Sequence, residues 1–99
     1  MTTVPAPGNG VTVELAADPN STSVFCDIRG DTSLVGTKVA VGLYVFRREH
    51  NNKFCAMLRV RLTSQPQRLR FKHVCNGIFE ARVFHHDKLL VTSQPFCVG

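Results

Sequence analysis

Apolar and polar residues alternate along this chain in short runs, and turn residues break each run before a helical period is established. Val11 to Leu15 alternates and is closed by Asp18-Pro19-Asn20. Ser23 to Ile28 places Val24, Cys26 and Ile28 on one face, and Gly30-Asp31 marks the next turn. Lys38 to Arg48 is rich in valine and aromatics, Glu49 to Asn52 turns, and Lys53 to Leu62 returns. After the loop Ser64 to Gln67, Arg68 to Val74 sets Leu69, Phe71 and His73 on one face. Asn76-Gly77 leads into Phe79 to Phe84, His85 to Lys88 turns again, and Leu89 to Val98 is the last run. The pattern predicts about seven strands and an all-β antiparallel sandwich.

Strand pairing follows from where the turns are centred. A turn centred between His86 and Asp87 brings Cys75 and Cys97 within one residue of facing each other. Facing Cα atoms in an antiparallel pair suit a disulfide, so a Cys75–Cys97 bridge is expected, with two separate buried thiols as the alternative. A turn centred between His50 and Asn51 sets Cys55 opposite Phe46 and Met57 opposite Tyr44. Val41, Leu43, Val45, Ala56, Leu58, Val60 and Leu62 then form an aliphatic core face. Tyr44, Phe46, Cys55, Met57, Arg59 and Arg61 form the other face. Cys26 points inward and Cys55 outward on this register. A slip of one residue reverses that, and a Cys26–Cys55 bridge stays open.

Composition narrows the class. The 99 residues fit one domain spanning 1–99, and 43% hydrophobic with 19% charged residues suits a globular chain. No apolar run approaches the ~20 residues of a membrane-spanning helix. Met1-Thr2-Thr3-Val4-Pro5 has neither the basic start nor the apolar core of a secretory leader, and a domain taken from a longer chain is the expectation. Four cysteines without a CxxC spacing fit disulfides better than zinc. Asn20-Ser21-Thr22 is an acceptor for N-glycosylation. Both features point to an extracellular setting, secreted or held at a membrane through a tether beyond this segment.

The net charge is +5, yet no basic run reaches five residues and Arg47-Arg48 is the only adjacent arginine pair. No nucleic-acid motif accompanies the charge, and nucleic acid is not an expected partner. His50, His73, His85 and His86 lack ligand spacing, and no paired carboxylates or nucleophile–base set is spaced for catalysis. Neither an enzyme nor a cofactor is expected. The outward face is more informative. Tyr44, Phe46 and Met57 are rimmed by Arg59, Arg61 and Arg82 with Glu80 nearby, and Ile78, Phe84, Leu89 and Val91 extend the patch. Aromatic, Met and Arg side chains on one face are an interface composition. Cover by a neighbouring domain is the alternative.

The segment Cys75-Asn76-Gly77-Ile78-Phe79-Glu80-Ala81 resembles the immunoglobulin F-strand signature Asp-x-Gly-x-Tyr-x-Cys. Gly77 takes the glycine and Phe79 the aromatic position, while Cys75 stands for the aspartate and Ala81 for the second core cysteine. The resemblance implies strands A, B, C, C′, E, F and G. There is no tryptophan for strand C, where Leu43 is the expected core filler, and Cys26 lacks its usual partner at Ala81. Immunoglobulin V-like domains often meet partners through the G-F-C-C′ sheet, which here carries the apolar patch. The resemblance therefore implies a cell-surface recognition or adhesion domain, homophilic or bound to a cell-surface ligand. Its type is closest to divergent invertebrate receptors of self/non-self recognition. The alternative is a secreted, disulfide-stapled sandwich that binds a host protein or acidic glycan through Arg47, Arg48, Arg59, Arg61, Arg68 and Arg70.

Overall fold

The computed structural model describes residues 10–46, 52–72 and 74–98. The readings placed on Arg47, Arg48, His50 and His73 lie outside them. The strands are β1 (Val11–Ala17), β2 (Val24–Gly30), β3 (Lys38–Phe46), β4 (Asn52–Arg61), β5 (Gln67–Phe71), β6 (Gly77–His85), β7 (Lys88–Thr92) and β8 (Phe96–Val98). One sheet has the order β1-β2-β5; the other has β4-β3-β6-β7, with β8 also on β6, and every pairing is antiparallel. Among the described residues the only helix is a three-residue turn, Thr32–Leu34. Asp31 caps it by accepting from the Ser33 amide and hydroxyl. No helix there is long and apolar enough to cross a membrane.

The apolar faces of the two sheets share one core, the arrangement of a β-sandwich. The first sheet contributes Val11, Val13, Cys26, Ile28 and Phe71; the second contributes Val41, Leu43, Val45, Phe79, Ala81 and Val83. Alternation of buried with half-buried or exposed residues along β2, β3 and β6, broken in β3 by the buried Gly42, creates these faces. Gly77 opens β6 with φ at +151°, and a Cβ there would stand 3.0 Å from a Val45 methyl. A glycine is thus required both by the backbone and by the close approach of β3. The expected turn at this glycine is in fact the start of a strand.

Three further expectations about pairing are corrected. The last run is two strands, because Ser93-Gln94-Pro95 interrupts it. The Ser93 amide donates to the Ala81 carbonyl (2.8 Å), but the Ala81 amide turns to the Ser93 hydroxyl (2.8 Å). A buried side chain has taken the place of a backbone acceptor, and Pro95 has no N–H with which to resume the ladder at once.

Second, the β6–β7 turn is centred at His86-Asp87 as the pattern predicts, with both residues at positive φ (50° and 66°). Both signs positive is the pattern of a type I′ hairpin turn, here without glycine. Past the tip, however, a bulge between Val83 and Phe84 sets Val91 opposite Val83, and Val91 packs on the core rather than outward. The break at Ser93 adds another slip, so Cys97 faces Ile78. Cys75 and Cys97 do not face each other, and both are exposed thiols. The expected Cys75–Cys97 bridge is therefore absent, as is the alternative of two buried thiols.

Third, the β3–β4 register differs from the expected one. Leu43 pairs with Ala56 and Tyr44 with Phe54, which leaves Cys55 as the bulged residue. Met57 faces Gly42, not Tyr44, and Asn52 rather than Cys55 faces Phe46. Five residues connect Phe46 to Asn52, whereas the expected turn was an even one centred on His50-Asn51.

Candidate functional site: the outer face of the second sheet

Period-two alternation along β3 turns Lys38, Ala40, Gly42, Tyr44 and Phe46 away from the core. Pairing aligns Phe54, Met57, Arg59 and Arg61 beside them on β4, and Glu80, Arg82 and Phe84 on β6. Tyr44 lies back along its own strand. A Cβ on Gly42 would stand 2.9 Å from Tyr44 Cε1, so the glycine makes room for the ring. Arg82 covers this ring from 4.3 Å, and its Nε donates to Glu80 Oε2 at 2.6 Å. Phe54 meets Tyr44 edge-on, with centroids 5.6 Å apart. Tyr44 is thereby fixed by a cation above, an aromatic beside and a glycine below.

Around this fixed centre the apolar side chains stay in water. Phe46 (64%), Phe54 (51%), Ile78 (48%), Leu89 (46%) and Met57 (37%) all keep large exposure. These are five of the six exposed large hydrophobic residues among those described; Val35 lies elsewhere. The face has two ends. At the Phe46 end, a depression of about 270 Å³ is walled by Phe46, Ile78, Phe79, Glu80 and Pro95. At the Lys38 end, a groove of about 510 Å³ runs between Lys38, Arg59, Tyr44, Phe84 and the His86-Asp87 turn.

The structure brings together all six residues expected at an interface: Tyr44, Phe46, Met57, Arg59, Glu80 and Arg82. It adds Phe54, Gly42 and Lys38, which the sequence reading missed. Phe54 was hidden by the Cys55 bulge, which changes the face of every residue before it. Gly42 carried a signal, since a glycine inside a strand rich in β-branched residues marks a close approach.

The opposite face, on β1-β2-β5, is arranged differently. Arg68 grips Asp27 through two nitrogens at 2.8 Å each, and Arg70 reaches Asp18 at 3.1 Å. Both guanidiniums also cover Phe25, at 4.4 and 5.2 Å. The Arg68 hydrogen bond holds the Asp27 carboxyl below its ordinary pKa and raises that of Arg68. Asp18 is lowered too, first by the Asn20 amide and the Ser21 hydroxyl and then by Arg70. Arg68 and Arg70 thus belong to ion pairs on a different sheet from Arg59 and Arg61. The described arginines named for the alternative reading therefore lie on two different sheets.

Cys26 sits in the core, and burial pushes its thiol up to about 12. Cys55 stands exposed at the β4 bulge, and no disulfide links it to Cys26. Asn20 is exposed in the β1–β2 turn, where its backbone N–H and the Ser21 hydroxyl both donate to Asp18. The rings of His85 and His86 lie 4.2 Å apart. Among the described residues no group of three or more His, Cys, Asp and Glu side chains converges as a metal site. No family model, curated protein or solved structure matches the chain.

Proposed function

We propose that this chain is an immunoglobulin-like recognition domain that binds a protein partner, a second copy of itself among the candidates, through the outer face of β4-β3-β6-β7. One observation carries the reading: five large apolar side chains stay exposed on that face, around a Tyr44 held rigid by its neighbours. Exposed patches of this kind mark contact surfaces, and rigid aromatics lose little entropy on contact. The strand order supports the immunoglobulin part. In that family's lettering the sheets read A-B-E and C′-C-F-G, and Phe79 fills the core where the signature has tyrosine. Cys26 and Ala81, the two positions of the family's cross-sheet cysteines, both lie in the core from opposite sheets.

Contact by the face is favoured over contact by the β4 edge. In an antiparallel β4–β4′ pair centred on Met57, Lys53 of one copy would stand opposite Arg61 of the other. Such like-charge pairs and the Cys55 bulge are devices that keep strand edges apart. A two-fold contact centred on the Phe46 end instead brings the apolar Phe46, Ile78 and Pro95 together beside the already paired Glu80. An extracellular setting and a glycan on Asn20 belong to the same reading, since the exposed β1–β2 turn lies away from the contact face. The proposed activity involves neither catalysis nor a cofactor.

The test is aggregation of beads coated with the domain. The parent is expected to cluster them and a folded Phe46→Asp variant is expected not to. Equal clustering by both moves the contact elsewhere. No clustering by the parent leaves a different protein as the partner, to be sought with the same variant as control.

A further inference from the structure

We infer that the groove at the Lys38 end of this face is a separate binding site for a sulfated or carboxylated polysaccharide. Lys38 and Arg61 face each other directly across β3 and β4, and Arg59 follows on the same side opposite Ala40. Residues two apart on a strand are about 7 Å apart, so three cations stand within one short stretch of surface. Among the described residues the ion pairs are Arg68–Asp27, Arg70–Asp18 and Arg82–Glu80, and none of these three cations belongs to one. Arg61 donates to the Gly36 carbonyl at 2.8 Å, which orients its guanidinium beside the groove, next to the lining cations Lys38 and Arg59, without neutralising it. Like charges directly opposite each other weaken a sheet. The arrangement becomes favourable when an anion bridges them.

The groove decides what carries that anion. Its lining offers the donors of Lys38, Arg59, Tyr44 and His86, and a single carboxylate, Asp87, at its rim. Lys38, Arg59 and Arg61 follow one another along the paired β3 and β4, which suits an extended ligand that displays its charges along its length. An acidic peptide laid in the groove would find side chains of the sheet face and no strand to pair its backbone amides. A polysaccharide has no backbone amides in need of a ladder, and it presents acidic groups repeatedly along its length. The site goes beyond the protein-recognition reading and does not depend on it, because the apolar contact is centred at the opposite end of the face.

The experiment is calorimetric titration with a short, size-defined heparin oligosaccharide at about 0.15 M salt. The parent is expected to bind. A folded Lys38→Ser/Arg61→Ser variant is expected to bind about tenfold more weakly, and Lys38→Ser alone gives an intermediate loss. Arg68→Ser/Arg70→Ser removes the same net charge from the other sheet and is expected to change binding less than about twofold. Phe46→Ser retains oligosaccharide binding whether or not it self-associates, which keeps failure here distinct from failure of the recognition reading. Equal losses in the two charge variants, or no binding by the parent, would overturn the site. Polyglutamate bound as tightly through Lys38 and Arg61 would overturn the polysaccharide assignment in favour of an acidic protein.

Discussion

On the outer face of β1-β2-β5, one aromatic ring lies beneath two guanidiniums, and each guanidinium has its own carboxylate. On the outer face of β4-β3-β6-β7, one ring is covered in the same way by Arg82, but Phe46, Phe54, Met57, Ile78 and Leu89 are left in water. Both faces use arginine over an aromatic. They differ in what surrounds that motif: the first face is complete within the molecule, and the second is only partly covered. The asymmetry is what a contact surface requires. A face whose charges and rings already satisfy one another gains little from a partner, whereas exposed apolar groups around a fixed centre gain from being covered.

The largest effect that sharpens this comparison concerns how the two sheets are joined. Ala81→Cys is expected to form a disulfide with Cys26 and to stabilise the domain by about 2–4 kcal/mol under oxidising conditions. Non-reducing peptide mapping and thermal melts check this, and a persistent pair of thiols would offset the strands from the immunoglobulin pairing. Next in size, Gly77→Ala is expected to destabilise by about 1–3 kcal/mol, through its positive φ and the Val45 methyl. Denaturant unfolding measures it, and a neutral result would mean that β6 begins differently.

Truncating the two rings should separate the faces. Phe25→Ala is expected to cost about 1 kcal/mol, from two cation–π contacts and partial burial. Phe54→Ala, exposed in the monomer, is expected to stay within about 0.5 kcal/mol. Comparable losses at both sites would erase the distinction between the faces.

The smallest effect is in acid. Asp18 and Asp27 titrate below their ordinary value of 3.8, so each contributes stability that is fully present above that value and lost as pH falls through the lowered one. Asp27→Asn should flatten the acid limb of the stability curve. An unchanged limb would show that the Arg68 pair contributes nothing to folding in solution.

Much of this was legible in the sequence, and what was not has a common physical origin. Alternation gave the facing of β2, β3 and β6, because a buried face must be apolar at every second residue. Register was harder. For Met57, Arg59 and Arg61 the expected pairing was wrong by two residues, which leaves a side chain on the same face. For Val91 it was wrong by one, which moved the residue from surface to core. A bulge adds one residue without a signature in composition, and Cys55 and Leu90 are ordinary strand residues. The bulge at Val83/Phe84, together with the break at Ser93, also offsets Cys97 from Cys75. The ion pairs of the first sheet were also hidden. Asp27 and Arg68 are 41 residues apart, and only the β2–β5 pairing sets them face to face.

The most direct test of the account is sedimentation equilibrium of the domain across concentration, comparing parent, Phe54→Asp on the second sheet and Thr12→Asp on the first. The account predicts reversible association of the parent, its loss in a folded Phe54→Asp, and its retention in Thr12→Asp. Loss in Thr12→Asp with retention in Phe54→Asp would contradict it, since the contact would then lie on the face that the ion pairs already complete.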